Sequence, residues 1–237
     1  MNDSSHKIKG LVFDKDGTLF DFAATWEAWA VAFLLRAANG DTDRAIHVGT
    51  QIGFDFQAQK FDRDSVVIAG TPHEVAAALK PHFAQLTDAE LLEMLNQEAE
   101  KAPQREAVPL IDLLTVLRDR GFMLGVATND AEAPALAHLA QAGVTRMFDF
   151  IAGFDSGHGA KPGPGQLLAF AAQTGLAPDT IAMIGDSTHD LRAGRAAGMT
   201  CVAVLTGLAT HAELAPHADV VLPDIGHLPG WLDGATP

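Results

Sequence analysis

Residues 14–18 read Asp-Lys-Asp-Gly-Thr and follow an apolar run, Leu11-Val12-Phe13. Two carboxylates at the end of a buried strand raise each other's pKa, so holding them together is costly. Asp14 and Asp16 therefore point to chemistry, against the plainer alternative of an Asp-Gly turn with a helix cap. Three further segments carry groups that complement them. Thr128-Asn129 offers a hydroxyl and an amide after the run Phe122–Ala127. Lys161 stands in Gly159-Ala160-Lys161-Pro162-Gly163-Pro164 and is the only lysine after Lys101. Gly185-Asp186-Ser187-Thr188-His189-Asp190 adds two more acids. Three carboxylates brought together make a hard-oxygen site suited to Mg²⁺. The ion would also neutralise charges that otherwise repel.

Those segments meet only if the chain supplies the right scaffold. Residues 8–13 read as a short buried strand. From about residue 108 strands and helices alternate. Helices are expected at 108–119, 131–142, 165–174 and 191–197, and strands at 122–127, 148–152, 181–184, 201–205 and 220–222. Strands separated by single helices pair in parallel with right-handed crossovers. Their short apolar runs suit a sheet covered on both faces. The fold class is α/β, a doubly wound, mostly parallel sheet, whose ligands lie beyond the carboxyl ends of the strands. All the segments singled out above follow strands in this scheme.

Residues 22–105 interrupt the alternation and read as helix after helix. Trp26, Trp29, Phe33 and Ala37 fall at helical spacing. Thr71-Pro72-His73-Glu74 and Thr87-Asp88-Ala89-Glu90 are capping boxes. The expected organisation is a core of residues 1–21 and 106–237 with a helical cap at 22–105. Its flexible joints fall near Asp21-Phe22 and Ala102-Pro103, and the tail from Leu228 to Pro237 is expected to be loose.

Taken together, the motifs resemble the haloacid dehalogenase superfamily, specifically its phosphatases with an inserted helical cap, a group that includes phosphoglycolate phosphatase and β-phosphoglucomutase. Asp14-Lys15-Asp16-Gly17-Thr18 fits the first motif of that family, Thr128 the second, Lys161 with its prolines the third, and Gly185-Asp186-Ser187 with Asp190 the fourth. Four motifs in order carry far more weight than one. The resemblance implies a Rossmann-like core and a Mg²⁺-dependent phosphatase, phosphoglycolate phosphatase-like, acting on a small phosphorylated metabolite. Asp14 would be the nucleophile and Asp16 the general acid and base. Thr128 and the Asn129 backbone would bind phosphoryl oxygens, and Lys161 would stabilise both nucleophile and phosphate. An Asp14 oxygen, the Asp16 carbonyl and Asp186 would hold the metal, with Asp190 orienting that shell or Lys161. The resemblance also leaves a phosphosugar mutase as runner-up. A non-catalytic member would have lost motif residues, and none is lost. Lys15, where an apolar residue is common, is expected to turn away from the nucleophile, and His189 to face away from the metal.

Composition narrows the partners. Lys plus Arg is 16 against 30 for Asp plus Glu, a net charge of −14. That balance disfavours nucleic acid, which calls for a basic face. Met1 to Ser5 lacks the regions of a signal peptide, and no apolar run approaches the ~20 residues of a membrane span. A soluble, cytoplasmic monomer or homodimer is expected. The lone Cys201 permits no internal disulfide and reads as a buried small residue. The ten histidines show no zinc-ligand spacing and are expected mostly at the surface. Trp26, Trp29 and Phe33 are expected in the cap core rather than around substrate.

Overall fold

The computed structural model describes residues 8–234. The Met1–Ser5 segment and the last three residues of the tail lie outside that range. Strand β1 (Gly10–Phe13) is buried along its whole length. The chain then leaves the sheet. Helix α1 (Phe22–Ala37) begins where the Asp21 carboxylate accepts a hydrogen bond from the Ala24 amide at 2.8 Å. Its buried face carries Trp26, Trp29, Phe33 and Ala37, the expected set. Then come α2 (Thr42–Gly49), β2 (Phe54–Asp55), β3 (Lys60–Phe61), α3 (Val66–Ala69), α4 (Pro72–Leu79) and α5 (Asp88–Ala99).

Both capping boxes form. The Thr71 amide donates to Glu74 at 2.7 Å and the Thr87 amide donates to Glu90 at 2.7 Å. The small antiparallel ribbon of β2 and β3 corrects the all-helical expectation. Strands of two residues carry no readable period, and what joins them is tertiary, since the Phe54 and Phe61 rings lie 4.8 Å apart. One apolar cluster gathers these elements and draws all its buried members from residues 22–102.

The remainder alternates as read. Helix α6 (Leu110–Asp119), β4 (Met123–Ala127), α7 (Glu132–Gln141), β5 (Phe150–Ala152), α8 (Gly165–Thr174), β6 (Ile181–Gly185), α9 (Thr188–Ala197), β7 (Thr200–Val204), α10 (His211–Leu214), β8 (Val220–Leu222) and α11 (Leu228–Leu232) follow in turn. Six strands form one parallel sheet in the order β5-β4-β1-β6-β7-β8. β1 lies between β4 and β6, where the winding reverses, so the crevice of such a sheet opens beyond Phe13.

Two expectations are corrected. The segment Leu228–Leu232 is a helix, because Leu228 and Leu232 bury themselves in the main core. Helix α9 starts at Thr188, not Leu191, because Ser187 and Asp190 form a third capping box. Beside the two expected joints, the Asp21 amide donates to the Arg105 carbonyl at 2.8 Å, and the Arg105 guanidinium meets Asp21 Oδ2 at 2.5 Å. No helix among the described residues is long and apolar enough to cross a membrane.

Candidate active site

Four strand ends deliver the predicted residues to one place. Asp14 follows β1, and its amide donates to the Ile184 carbonyl of β6 at 2.8 Å. Lys161, from the loop after β5, donates to Asp14 Oδ1 at 2.6 Å and to Asp190 Oδ1 at 2.7 Å. The other Asp14 oxygen has no partner among the described residues. Asp190 Oδ2 accepts from the amide and hydroxyl of Ser187 at 3.0 and 2.6 Å. Both oxygens of Asp190 are thus engaged, one clamping Lys161 and the other capping α9. Thr128, after β4, accepts from the Asp130 amide at 3.1 Å. The Asn129 side chain accepts from the Lys161 amide at 2.8 Å and donates to the Lys161 and Ala69 carbonyls at 2.9 and 3.0 Å. Asn129 therefore shapes the lysine loop and touches the cap with its side chain, which leaves its backbone amide for a ligand.

Carboxylate oxygens of Asp14, Asp186 and Asp190 lie within 4.8 Å of one another. Burial pushes Asp14 up to about 7, with Asp190 and Asp16 adding to the rise against Lys161. Burial, then Asp14 and Asp190, holds Asp186 well above the usual carboxylate range. Lys161 is itself raised: burial opposes its charge, but Asp14 and Asp190 outweigh it. One lysine against two buried acids and the half-buried Asp186 leaves negative charge in excess, the condition a hard divalent cation satisfies. The local packing suits this too. A Cβ at Gly17, whose φ is +78°, would lie 2.4 Å from Asp186 Oδ2, and one at Gly207 would lie 1.6 Å from it. Both glycines let Asp186 come in flat against the backbone. Gly207 lies in the loop after β7, where no motif in the sequence marks it. The donor set fits Mg²⁺, which Asp14, Asp186 and the Asp16 carbonyl would hold.

Lys15 is the residue whose role the sequence hid. Its ammonium makes no hydrogen bond to Asp14 among the described contacts, and the side chain is fully buried. Its ammonium meets Asp16 Oδ1 and Oδ2 at 2.8 and 2.7 Å, His138 Nδ1 at 2.9 Å and Asp130 Oδ2 at 3.3 Å. His138 Nε2 donates onward to the Ala99 carbonyl at the end of α5, 2.7 Å away, since its Nδ1 must accept from the ammonium. Burial, reinforced by Lys15, lowers His138 to about 4, so the ring stays neutral. Burial raises Asp130 to about 6. Among histidines expected mostly at the surface, and described mostly there, His138 is completely buried. A Lys15→Met substitution strands Asp16 and Asp130 without a cation. It should lower the unfolding free energy by about 3 kcal/mol at neutral pH. Without Lys15, which holds it down to about 6, Asp130 takes up its proton at higher pH, so the deficit against wild type should shrink as pH falls from 8 toward 6. Urea titrations of both proteins between pH 5 and pH 8 measure it, and equal stabilities would remove the network as a structural element.

A haloacid dehalogenase-like hydrolase family model matches residues 8–198. The chain belongs to that family. Relatives run along its full length. A phosphoglycolate phosphatase of Xanthomonas campestris is 30% identical over 233 residues, 97% of each chain. The pyrophosphatase PpaX of Bacillus pumilus is 26% identical over 223 residues, covering 92% of this chain and 91% of that one. The crystal structure of a predicted phosphoglycolate phosphatase from Haemophilus somnus superposes with a TM-score of 0.69 at 21% identity, over 95% of this chain and 98% of that one, and shares the fold.

In this haloacid dehalogenase-like hydrolase a cavity rises from the acids into the cap. Five aspartates and one lysine line its floor: Asp14, Asp16, Asp130, Asp186, Asp190 and Lys161. Trp26 and Trp29 belong to the cap core as expected, and they line the cavity as well. His189, half-buried, also lines it. It stands in the first turn of α9. None of the seven cap cations reaches the cavity. Arg36 and Lys101 share Glu98, Lys60 pairs with Glu27, Arg63 with Glu213, Lys80 with Asp88 and Arg105 with Asp21. Arg44 lies over the Phe83 ring.

Proposed function

We propose that this chain is a Mg²⁺-dependent phosphomonoester hydrolase working through a phosphorylated Asp14. The observation that carries the proposal is the Lys161 clamp on Asp14 and Asp190 beside Asp186, an acid cluster built at the switch point of a parallel sheet. Membership of the hydrolase family and the relatives named as phosphatases support it.

The residues divide the work as follows. An Asp14 oxygen attacks phosphorus while the bond to the leaving oxygen breaks. Protonated Asp16 gives its proton to that oxygen. Asp16, now a carboxylate, takes a proton from water, the hydroxyl oxygen attacks phosphorus, and Asp14 departs as a carboxylate. Lys161, the Thr128 hydroxyl and the Asn129 amide stabilise the charge that gathers on the phosphoryl oxygens. Bound Mg²⁺ supplies neutralisation of the buried charge that Asp14 and the phosphate bring together. Asp16 also supports phosphate chemistry over dehalogenation, because a departing halide has no use for a proton.

A mutase of the β-phosphoglucomutase kind needs counter-charge for a second phosphate, and the cap side of the cavity offers none. Phosphoglycolate is the substrate first expected for this site. The relatives carry names for two different substrates at 30% and 26% identity, so the choice falls to the cavity wall. The class of reaction is tested with an aryl phosphate. Inorganic phosphate should be released with Mg²⁺ present, release should stop on chelation, and it should return when Mg²⁺ is restored. Equal release in the presence of chelator would remove the metal from the mechanism.

A further inference from the structure

The acids and Lys161 fix where phosphorus must sit, so the rest of the substrate extends toward the cap. There it meets Trp26 and Trp29 of α1, Val67 and Ile68 of α3, Val75 of α4 and Leu95 of α5. The Trp29 indole N–H is already spent on the Leu95 carbonyl at 3.1 Å, so Trp29 offers ring surface alone. Asn96 is the single amide on the cap side, half-buried, and its side chain has no hydrogen-bond partner among the described residues. Lys161 is the one lysine or arginine in the lining, and both of its acidic partners hold it. Lys15, behind Trp26 at 5.6 Å from the ring centroid, is fully buried among its own partners.

An added carboxylate or second phosphate would therefore lose its water, gain no lysine or arginine beyond the clamped Lys161, and face five aspartates across the cavity. An apolar group would gain by leaving water for these walls. We infer that the substrate is a monophosphate ester of an uncharged, largely apolar alcohol, with a ring or branched chain between α1, α3 and α5 and one polar atom within reach of Asn96. This deepens the hydrolase reading and rests on it. It also argues that neither phosphoglycolate nor a bisphosphate is the preferred substrate.

The test compares esters whose leaving groups are all alkoxides, so that chemistry does not mask binding. With the full chain and Mg²⁺, kcat/KM is measured for benzyl phosphate, 2-phosphoglycolate, glycerol phosphate and a hexose bisphosphate. Benzyl phosphate should exceed phosphoglycolate by about 10–100-fold, the worth of burying one ring. An Ile68→Arg variant places a cation on the cap wall and should shift that ratio toward phosphoglycolate by at least about tenfold. Phosphoglycolate or the bisphosphate turning over as well as benzyl phosphate would overturn the inference while leaving the hydrolase intact. A folded Ile68→Arg protein with an unchanged ratio would overturn it too. If Ile68→Arg does not fold, the wild-type ratio decides alone. No phosphate from any ester would remove the hydrolase reading itself, and this one with it.

Discussion

Asp14→Asn should reduce turnover of an aryl phosphate by about 10⁴–10⁶-fold, the scale on which losing a covalent nucleophile acts. The amide can still accept from Lys161 where Oδ1 now does, at 2.6 Å, so the clamp on Asp190 persists. What disappears is one negative charge from a cluster in which burial already pushes Asp14 up to about 7. The metal-free variant should therefore keep or raise its melting temperature while losing activity. That opposite movement separates a chemical role from a structural one. Comparable turnover in a folded Asp14→Asn protein would end the covalent mechanism. Lower melting together with lower activity would mean that the carboxylate serves mainly to hold Lys161.

Asp16→Asn should split the two half-reactions. An aryl leaving group departs without a proton, so Asp14 is still phosphorylated. Water has no such escape, because it must give its proton to a nearby base. Dephosphorylation should slow by about 10²–10⁴-fold, the usual worth of that group. The substitution suits the surroundings, because an Asn oxygen can still accept from Lys15, whose ammonium now spans both Asp16 oxygens at 2.8 and 2.7 Å. Rapid acid quench should show a burst of aryl alcohol, a stall, and one phosphate on the peptide that contains Asp14. Steady product with no phosphopeptide would mean that water attacks the substrate directly.

The strand-end residues could be read from the sequence because each is announced locally. Asp14, Thr128 and Asp186 each close a short apolar run, and a parallel sheet gathers such ends at one edge. Lys161 stood out through its isolation and its prolines. The helix α9 could have been placed correctly, since Ser187 and Asp190 have capping-box spacing. That Asp190 holds Lys161 through Oδ1 while capping α9 through Oδ2 is set by the fold, which brings the lysine loop to the start of that helix. Lys15 and His138 were not readable. They lie 123 residues apart, no periodicity links them, and their contact exists only because α7 packs beside the first motif. Gly207 gave no local sign either. What demands a glycine there is the Asp186 carboxylate, which arrives from another strand. The cap ribbon escaped for the same reason, as its two strands are held by ring packing rather than by their own propensity.

The Lys15 cluster has a consequence for how such a chain can change through descent. An apolar residue arriving alone at position 15 leaves Asp16 and Asp130 buried without a cation. Loss of Asp130 or of His138 alone leaves the ammonium short of a partner it has at 3.3 or 2.9 Å. Each single replacement lowers stability, and the penalties do not add, because the groups share one network. A joint change of positions 15, 130 and 138 removes the cation, one of its anions and the ring it donates to, and leaves Asp16 as the one charge the new surroundings must hold. Two of these positions stand on the far side of the cap insertion from the first. The trio is thus a single heritable unit scattered along the chain, replaced together or carried through a spell of surplus stability gained elsewhere.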